Sequence, residues 1–166
     1  LIGERLHACG MTVLGIDAEY VPMVRAFEAR YAPSQLHEVL PRADAVLVAA
    51  PATPRTLRMF DYSAFAVMRS TAYFVNTARG ALVDTDALVA ALREGRLAGA
   101  ALDVTDPEPL PDDHPLRSMP NVILTPHVAG PSDHNRDRSF ALISENVQRF
   151  VSGQPLTNRV DPTLGY

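Results

Sequence analysis

Residues 71–104 run TAYFVNTARGALVDTDALVAALREGRLAGAALDV. Thr71 to Asn76 is short and apolar and reads as a strand. It gives way to a polar loop, Thr77-Ala78-Arg79-Gly80. Asp84 to Glu94 then spaces its apolar residues as a helix does, with Leu88, Val89 and Leu92 on one face and Gly95 at the stop position. Gly99 to Val104 is a second apolar strand. Apolar strands alternating with an amphipathic helix signal a parallel sheet covered on both faces.

The same alternation extends outward in both directions. Upstream, Leu1 to Cys9 has helical spacing with Gly10 after it, and Met11 to Ile16 reads as a strand ending at Asp17. Residues 21–30 are assigned to helix, as is Gln35 to Leu40. Ala45 to Ala49 is a strand closed by Pro51 and Pro54, and Asp61 to Met68 a helix with Asp61 as its N-cap. Downstream of a Pro-rich loop from Asp106 to Pro120, Val122 to Thr125 is a final strand. Asp133 to Val151 is a long helix closed by Gly153 and Pro155. The fold class that follows is doubly wound α/β, in which ligands sit beyond the carboxyl ends of the strands. The polar residues just after strands are therefore the ones to examine: Asp17, Asn76 to Arg79, Asp103 and His127.

Composition narrows the partners. Hydrophobic residues make up 47% of the 166, enough for a packed core, and the net charge is −4 with no basic run. Nucleic acid is not expected as a partner. No segment is apolar for long enough to span a membrane. The chain opens directly on a helix-like segment, and no secretory leader is expected. The single cysteine, Cys9, excludes an internal disulfide, fits a reducing cytoplasm, and is expected as a small buried hydrophobe. No His and Cys cluster has metal-ligand spacing, so no metal is expected.

Asp17 admits two readings. It is a solvated strand-end carboxylate, or it accepts hydrogen bonds from both hydroxyls of an adenosine ribose. The second reading needs a glycine fingerprint upstream, and Gly3 in Leu1-Ile2-Gly3 fits its last position. The first two glycines would precede Leu1, and since the chain does not open on Met, a truncated amino terminus is expected. Asp17-Ala18-Glu19 offers no Arg or Lys to a 2′-phosphate, so NAD is expected over NADP.

From Ala43 onward several motifs occur in fixed order. Ala43-Asp44-Ala45-Val46-Leu47-Val48 leads into Pro51-Ala52-Thr53-Pro54-Arg55-Thr56, and Val75-Asn76-Thr77-Ala78-Arg79-Gly80 follows. Leu82 to Leu88, Gly99 to Val104, Glu108-Pro109, Pro115-Leu116 and Pro120 to Gly130 continue the series, which ends at Asn158-Arg159-Val160-Asp161-Pro162. Over nearly its whole length the chain resembles the NAD-binding domain of the D-2-hydroxyacid dehydrogenase family. It departs from the family pattern at Ala49 or Ala50, where a His is usual, and at Ala52, where Leu is common.

The resemblance implies a Rossmann-like NAD-binding domain over residues 1–130, without its first strand and first two fingerprint glycines. Residues 131–166 would form a helix and tail returning toward a substrate-binding domain that this chain lacks. It implies NAD as cofactor and a small 2-oxo or 2-hydroxy acid as partner, in a cytoplasmic homodimer. Arg79 would grip the substrate carboxylate with its planar fork. His127 would exchange a proton with the carbonyl oxygen, and Glu108 would orient its imidazole. Asp103 would lie near the nicotinamide, and Thr77, Ala78 and Gly130 would line the same cofactor, with Leu1, Ile2, Gly3, Ala50, Pro51 and Thr56 along the rest of it.

A sheet lacking its first strand should open at its centre. The chain alone is therefore expected to be marginally stable, to bind NAD poorly and to lack dehydrogenase activity. The last helix should leave Phe140, Ile143, Val147 and Phe150 partly uncovered. Two other readings stand beside the enzyme: an NAD-sensing corepressor-like binding module, and an inert truncated remnant. A formate dehydrogenase-like protein is disfavoured, since that branch carries Gln at the position of Glu108.

Overall fold

A computed structural model describes residues 1–18 and 26–163 of the chain. The elements in order are α1 (Ile2–Ala8), β1 (Leu14–Ile16), β2 (Ala29–Tyr31), α2 (Leu36–Val39), β3 (Ala45–Val48), α3 (Tyr62–Val67), β4 (Tyr73–Asn76), α4 (Thr85–Arg93), β5 (Gly99–Leu102), β6 (Val122–Leu124) and α5 (Asn135–Val151). Every strand pairing is parallel. The helices begin and end where the sequence marks them. Asp61 and Asp84 each accept a hydrogen bond from a first-turn backbone N–H, that of Ala64 at 3.0 Å and Ala87 at 3.1 Å. Gly95 follows α4 in the left-handed region, at φ 67°, which a side chain would disfavour.

The strands form two sheets, β1-β2 and β3-β4-β5-β6. Among the described residues no strand lies between β1 and β3, the place where the implied order puts the first strand. The four-stranded sheet is in register across its width, with Val48, Asn76, Leu102 and Leu124 as successive partners. Its carboxyl rim therefore carries Ala49, Thr77, Asp103 and Thr125 side by side.

One face of this sheet holds the core. Phe74 is fully buried there, with Phe60 at a ring distance of 5.0 Å and Phe65 at 5.3 Å, both edge-on. Leu36 of α2, Phe65 of α3 and Leu88 of α4 join the same cluster, and Ile16 of β1 packs against it.

Three expectations are corrected. Apolar strands predict cover on both faces, but the face opposite the core is open: Leu47, Tyr73 and Ile123 are 38%, 57% and 67% exposed. Their alternating buried neighbours show a half-covered sheet whose outward positions happen to be apolar. Residues 21–30 are assigned to helix in the sequence, yet Ala29–Tyr31 is a strand, because Leu14, Gly15 and Ile16 pair with it residue by residue. Residues 21–25 lie outside the described part. Cys9 is exposed rather than buried, since it caps the end of α1 beyond the last helical turn.

The long helix α5 has no buried residue, and Phe140 and Phe150 are 72% and 76% exposed. No helix among the described residues is long and apolar enough to cross a membrane.

Candidate active site at the carboxyl rim of the sheet

Asn76 and Asp103 are the buried polar side chains of the described core, and both sit at the carboxyl rim. A buried polar group must find partners or destabilise the fold. Asn76 spends its amide on the loop that follows it. Its Oδ1 accepts from the backbone N–H of Ala78 at 3.0 Å, and its Nδ2 donates to the carbonyl of Arg79 at 2.9 Å. The turn from Thr77 to Arg79 is thereby fixed in shape. Arg79 itself is exposed, with Nη1 donating to the Ala78 carbonyl at 2.6 Å.

Gly80 seals this loop against the next one. A Cβ on Gly80 would lie 1.9 Å from the carbonyl oxygen of Thr105, so only glycine allows the approach. The Thr85 hydroxyl donates to the Asp106 carbonyl at 2.5 Å in the same seam. The loop carrying Glu108 is thus pinned beside the loop carrying Arg79.

Asp103 organises the third loop. Its Oδ1 accepts from the Thr125 hydroxyl at 2.6 Å and the Val128 N–H at 2.9 Å, and its Oδ2 accepts from the Ala129 N–H at 2.9 Å. These bonds, led by the one from Thr125, hold its carboxyl below the usual range, although burial pushes the other way. His127 N–H donates to the Asp103 carbonyl at 2.9 Å. His127 sits at φ 55°, uncommon for a residue with a side chain. From that position its Nδ1 meets Glu108 Oε1 at 2.6 Å, with both side chains partly exposed at 46% and 39%. With the carboxylate at Nδ1, that nitrogen carries the proton shared with Glu108, and Nε2 is left for a ligand.

Hydrogen bonds to backbone carbonyls join the three loops. Asn76 Nδ2 reaches Arg79, the Asn76 carbonyl accepts from Asp103 N–H at 2.9 Å, and the Asp103 carbonyl accepts from His127. Arg79, Glu108 and His127 therefore stand on neighbouring loops at one rim.

The remaining sequence-predicted residues fall in two groups. Gly3 is buried within α1, where a Cβ would meet the Phe27 ring at 2.6 Å, while Leu1 and Ile2 are exposed at the helix start. Asp17 is exposed just after β1, and its N–H donates to the Tyr31 carbonyl at 3.2 Å. Glu19 lies outside the described residues. After β3, Ala50 packs against the core and Pro51 is exposed; the Thr56 hydroxyl is engaged in its own turn, donating to the Pro51 carbonyl at 2.7 Å. Thr77 is exposed and Ala78 half-buried at the β4 end, and the exposed Gly130 takes a 3.2 Å bond from Asn135 at its carbonyl. The sequence reading marks Asn76 for examination without giving it a role, and it reads Thr125 only as a strand end. A polar residue closing a buried apolar strand is the signal that points to Asn76.

These positions suit a dinucleotide in the donor sets they present: an exposed carboxylate after β1, then loop backbone and small side chains after β3 and β4, then His127. Among the described residues no group of three or more His, Cys, Asp or Glu side chains is placed to hold a metal ion.

Comparison with known proteins identifies the family. The model of the D-isomer specific 2-hydroxyacid dehydrogenase NAD binding domain matches residues 1–129. A glyoxylate reductase of Thermofilum pendens is 38% identical over 91% of this chain and 44% of its own. A D-isomer specific 2-hydroxyacid dehydrogenase from Xanthobacter autotrophicus Py2, solved with NADPH and MES, superposes with a TM-score of 0.90 at 36% identity, over 98% of this chain and 66% of its own. An NADPH-dependent glyoxylate/hydroxypyruvate reductase from Sinorhizobium meliloti, solved with NADP and sulfate, gives 0.89 at 32% identity, over 99% and 52%. The chain spans about half the length of the curated relatives it matches, 53% of one and 44% of another.

Proposed function

This chain belongs to the D-isomer specific 2-hydroxyacid dehydrogenase family, and from that premise we propose that it is the nucleotide-binding part of an oxidoreductase working on 2-oxo and D-2-hydroxy acids. The observation that carries the reading is the 2.6 Å contact of His127 with Glu108 on a rim shared with the Arg79 loop. A bound nicotinamide would supply the hydride. Arg79 binds the substrate carboxylate through two parallel hydrogen bonds and draws electron density from the adjacent carbonyl. Glu108 holds the imidazole in one tautomer. The doubly protonated His127 ring, its Nδ1–H donated to Glu108, delivers the Nε2 proton to the carbonyl oxygen during reduction, and the neutral tautomer left behind takes that proton back in the reverse direction.

In this reading residues 1–130 bind the dinucleotide, and residues 131–166 lead toward a substrate-binding unit. Asp17 takes the adenosine ribose, and its carboxylate, with Glu19 nearby in sequence, disfavours a 2′-phosphate. We therefore propose NAD, although the two solved relatives above carry NADP or NADPH. The kcat/KM ratio for NADH against NADPH checks this, and a preference for NADPH would overturn it. Glyoxylate and hydroxypyruvate are the first substrates to assay. A cytoplasmic homodimer belongs to the same proposal, and sedimentation velocity tests the dimer.

The test of the acid is His127→Ala in the intact protein. Turnover should fall by about 10²–10⁴-fold with NADH affinity little changed. Arg79→Ala should raise the KM for the 2-oxo acid and lower kcat together. Near-normal kinetics in both variants would end the proposal.

A further inference from the structure

Three features lie outside the roles given above. A groove of about 250 Å³ between α3 and α4 is lined by Tyr62, Phe65 and alanines, but nothing shows what would fill it. The apolar row of α5 likewise has no packing partner among the described residues. The third feature is the Thr125 hydroxyl, and it carries an inference.

Thr125 follows β6, and its N–H donates to the Leu102 carbonyl at 3.0 Å, continuing the sheet by one more residue. Beyond it the chain turns sharply, with His127 in the left-handed region at φ 55°. A histidine held there is strained, and such strain persists only where surrounding bonds over-determine it. Those bonds all converge on Asp103: its carbonyl takes His127 N–H, and its carboxylate takes Val128 and Ala129 N–H. The carboxylate needs a fixed rotamer to receive both amides, one on each oxygen. The Thr125 hydroxyl, at 2.6 Å, is the shortest of its contacts and the one supplied by a side chain.

We propose that Thr125 is a positioning residue: its hydroxyl locks the Asp103 carboxylate, and that carboxylate holds the turn on which His127 meets Glu108. The Thr125 hydroxyl bonds Asp103, while the imidazole bonds Glu108, so Thr125 acts through Asp103. The proposal rests on the reading of His127 as the acid only for its kinetic consequence. The geometric part concerns the imidazole alone.

The test compares Thr125→Val, which keeps the shape and removes the donor, with Thr125→Ser, which keeps the donor and removes the methyl. The first readout is the ¹⁵N spectrum of the His127 ring, which reports the tautomer held by Glu108. The second is kcat against KM for NADH in the intact protein. The valine variant should mix the two ring tautomers and lose about tenfold to a hundredfold in kcat, the range for a slightly misplaced group, with KM for NADH within about twofold. Serine should restore both readouts.

A valine variant with the wild-type ring spectrum would overturn the proposal. So would equal damage from valine and serine, which would assign the effect to methyl packing. Thr125→Cys, of similar size and a weaker donor, serves if the valine variant does not fold; an unchanged ring spectrum there refutes the idea equally. If His127→Ala keeps normal turnover, the acid reading fails while the ring spectrum still decides the role of Thr125.

Discussion

At the scale of single residues, the rim is built by Asn76 and Asp103, polar groups bonded to the loops around them, and by one missing side chain. Gly80 abuts the Thr105 carbonyl so closely that Gly80→Ala must move backbone. We expect a loss of about 1–3 kcal/mol, typical of overpacking, measured by urea unfolding. Asp103 makes stability depend on pH in a defined direction. Its folded carboxyl titrates below the ordinary value, so its contribution is complete above about pH 5 and fades as pH falls through the lower folded value. Asp103→Asn should therefore be destabilised relative to the parent near neutrality, with the gap closing as pH falls below the ordinary carboxylate range; melting temperatures across that range check it. Arg79 and His127 were legible in the sequence as candidates because each follows a strand in a recognisable motif, and Glu108 by its motif alone. Asn76 reads there only as a polar residue after a strand and Thr125 only as a strand end, because their work is side-chain bonding within the folded rim. Asn76 bonds loop backbone two and three residues away, and Thr125 bonds the Asp103 carboxylate just past the end of the neighbouring strand.

Among elements, α4 was readable to within a residue at each end. Its apolar spacing, the Asp84 cap and Gly95 are local signals, and all three agree. Asp84→Ala removes the cap bond to Ala87 and should cost about 1 kcal/mol, lowering Tm by roughly 3 °C in a calorimetric scan. The strand β2 was not readable. Ala29-Arg30-Tyr31 has a charged centre and only three residues, and its partner β1 lies well back along the sequence. Such pairing is a non-local decision that a short window cannot contain. The sheet's open face was misjudged for a related reason. Tyr73, Leu47 and Ile123 have the composition of buried strand residues, and only the arrangement of helices shows that one side lacks cover.

For the whole molecule, stability concentrates in the four-stranded sheet and the aromatic group around Phe74. Phe74→Ala should cost about 3–5 kcal/mol, a large share of a typical domain's total, and chemical denaturation would measure it. The pair β1-β2 has three residues per strand and its own small sheet. In hydrogen exchange its amides should open first, while those of β4 and β5 persist; simultaneous exchange of both sheets would show one cooperative unit instead. The uncovered side of the larger sheet gives the molecule two unlike surfaces, one bonded to water through its rim and one resembling oil. Wetting is consequently lopsided. On a hydrophobic resin the chain should adhere broadside, and adhesion should shield the Tyr73 ring from iodination while leaving Tyr62 reactive.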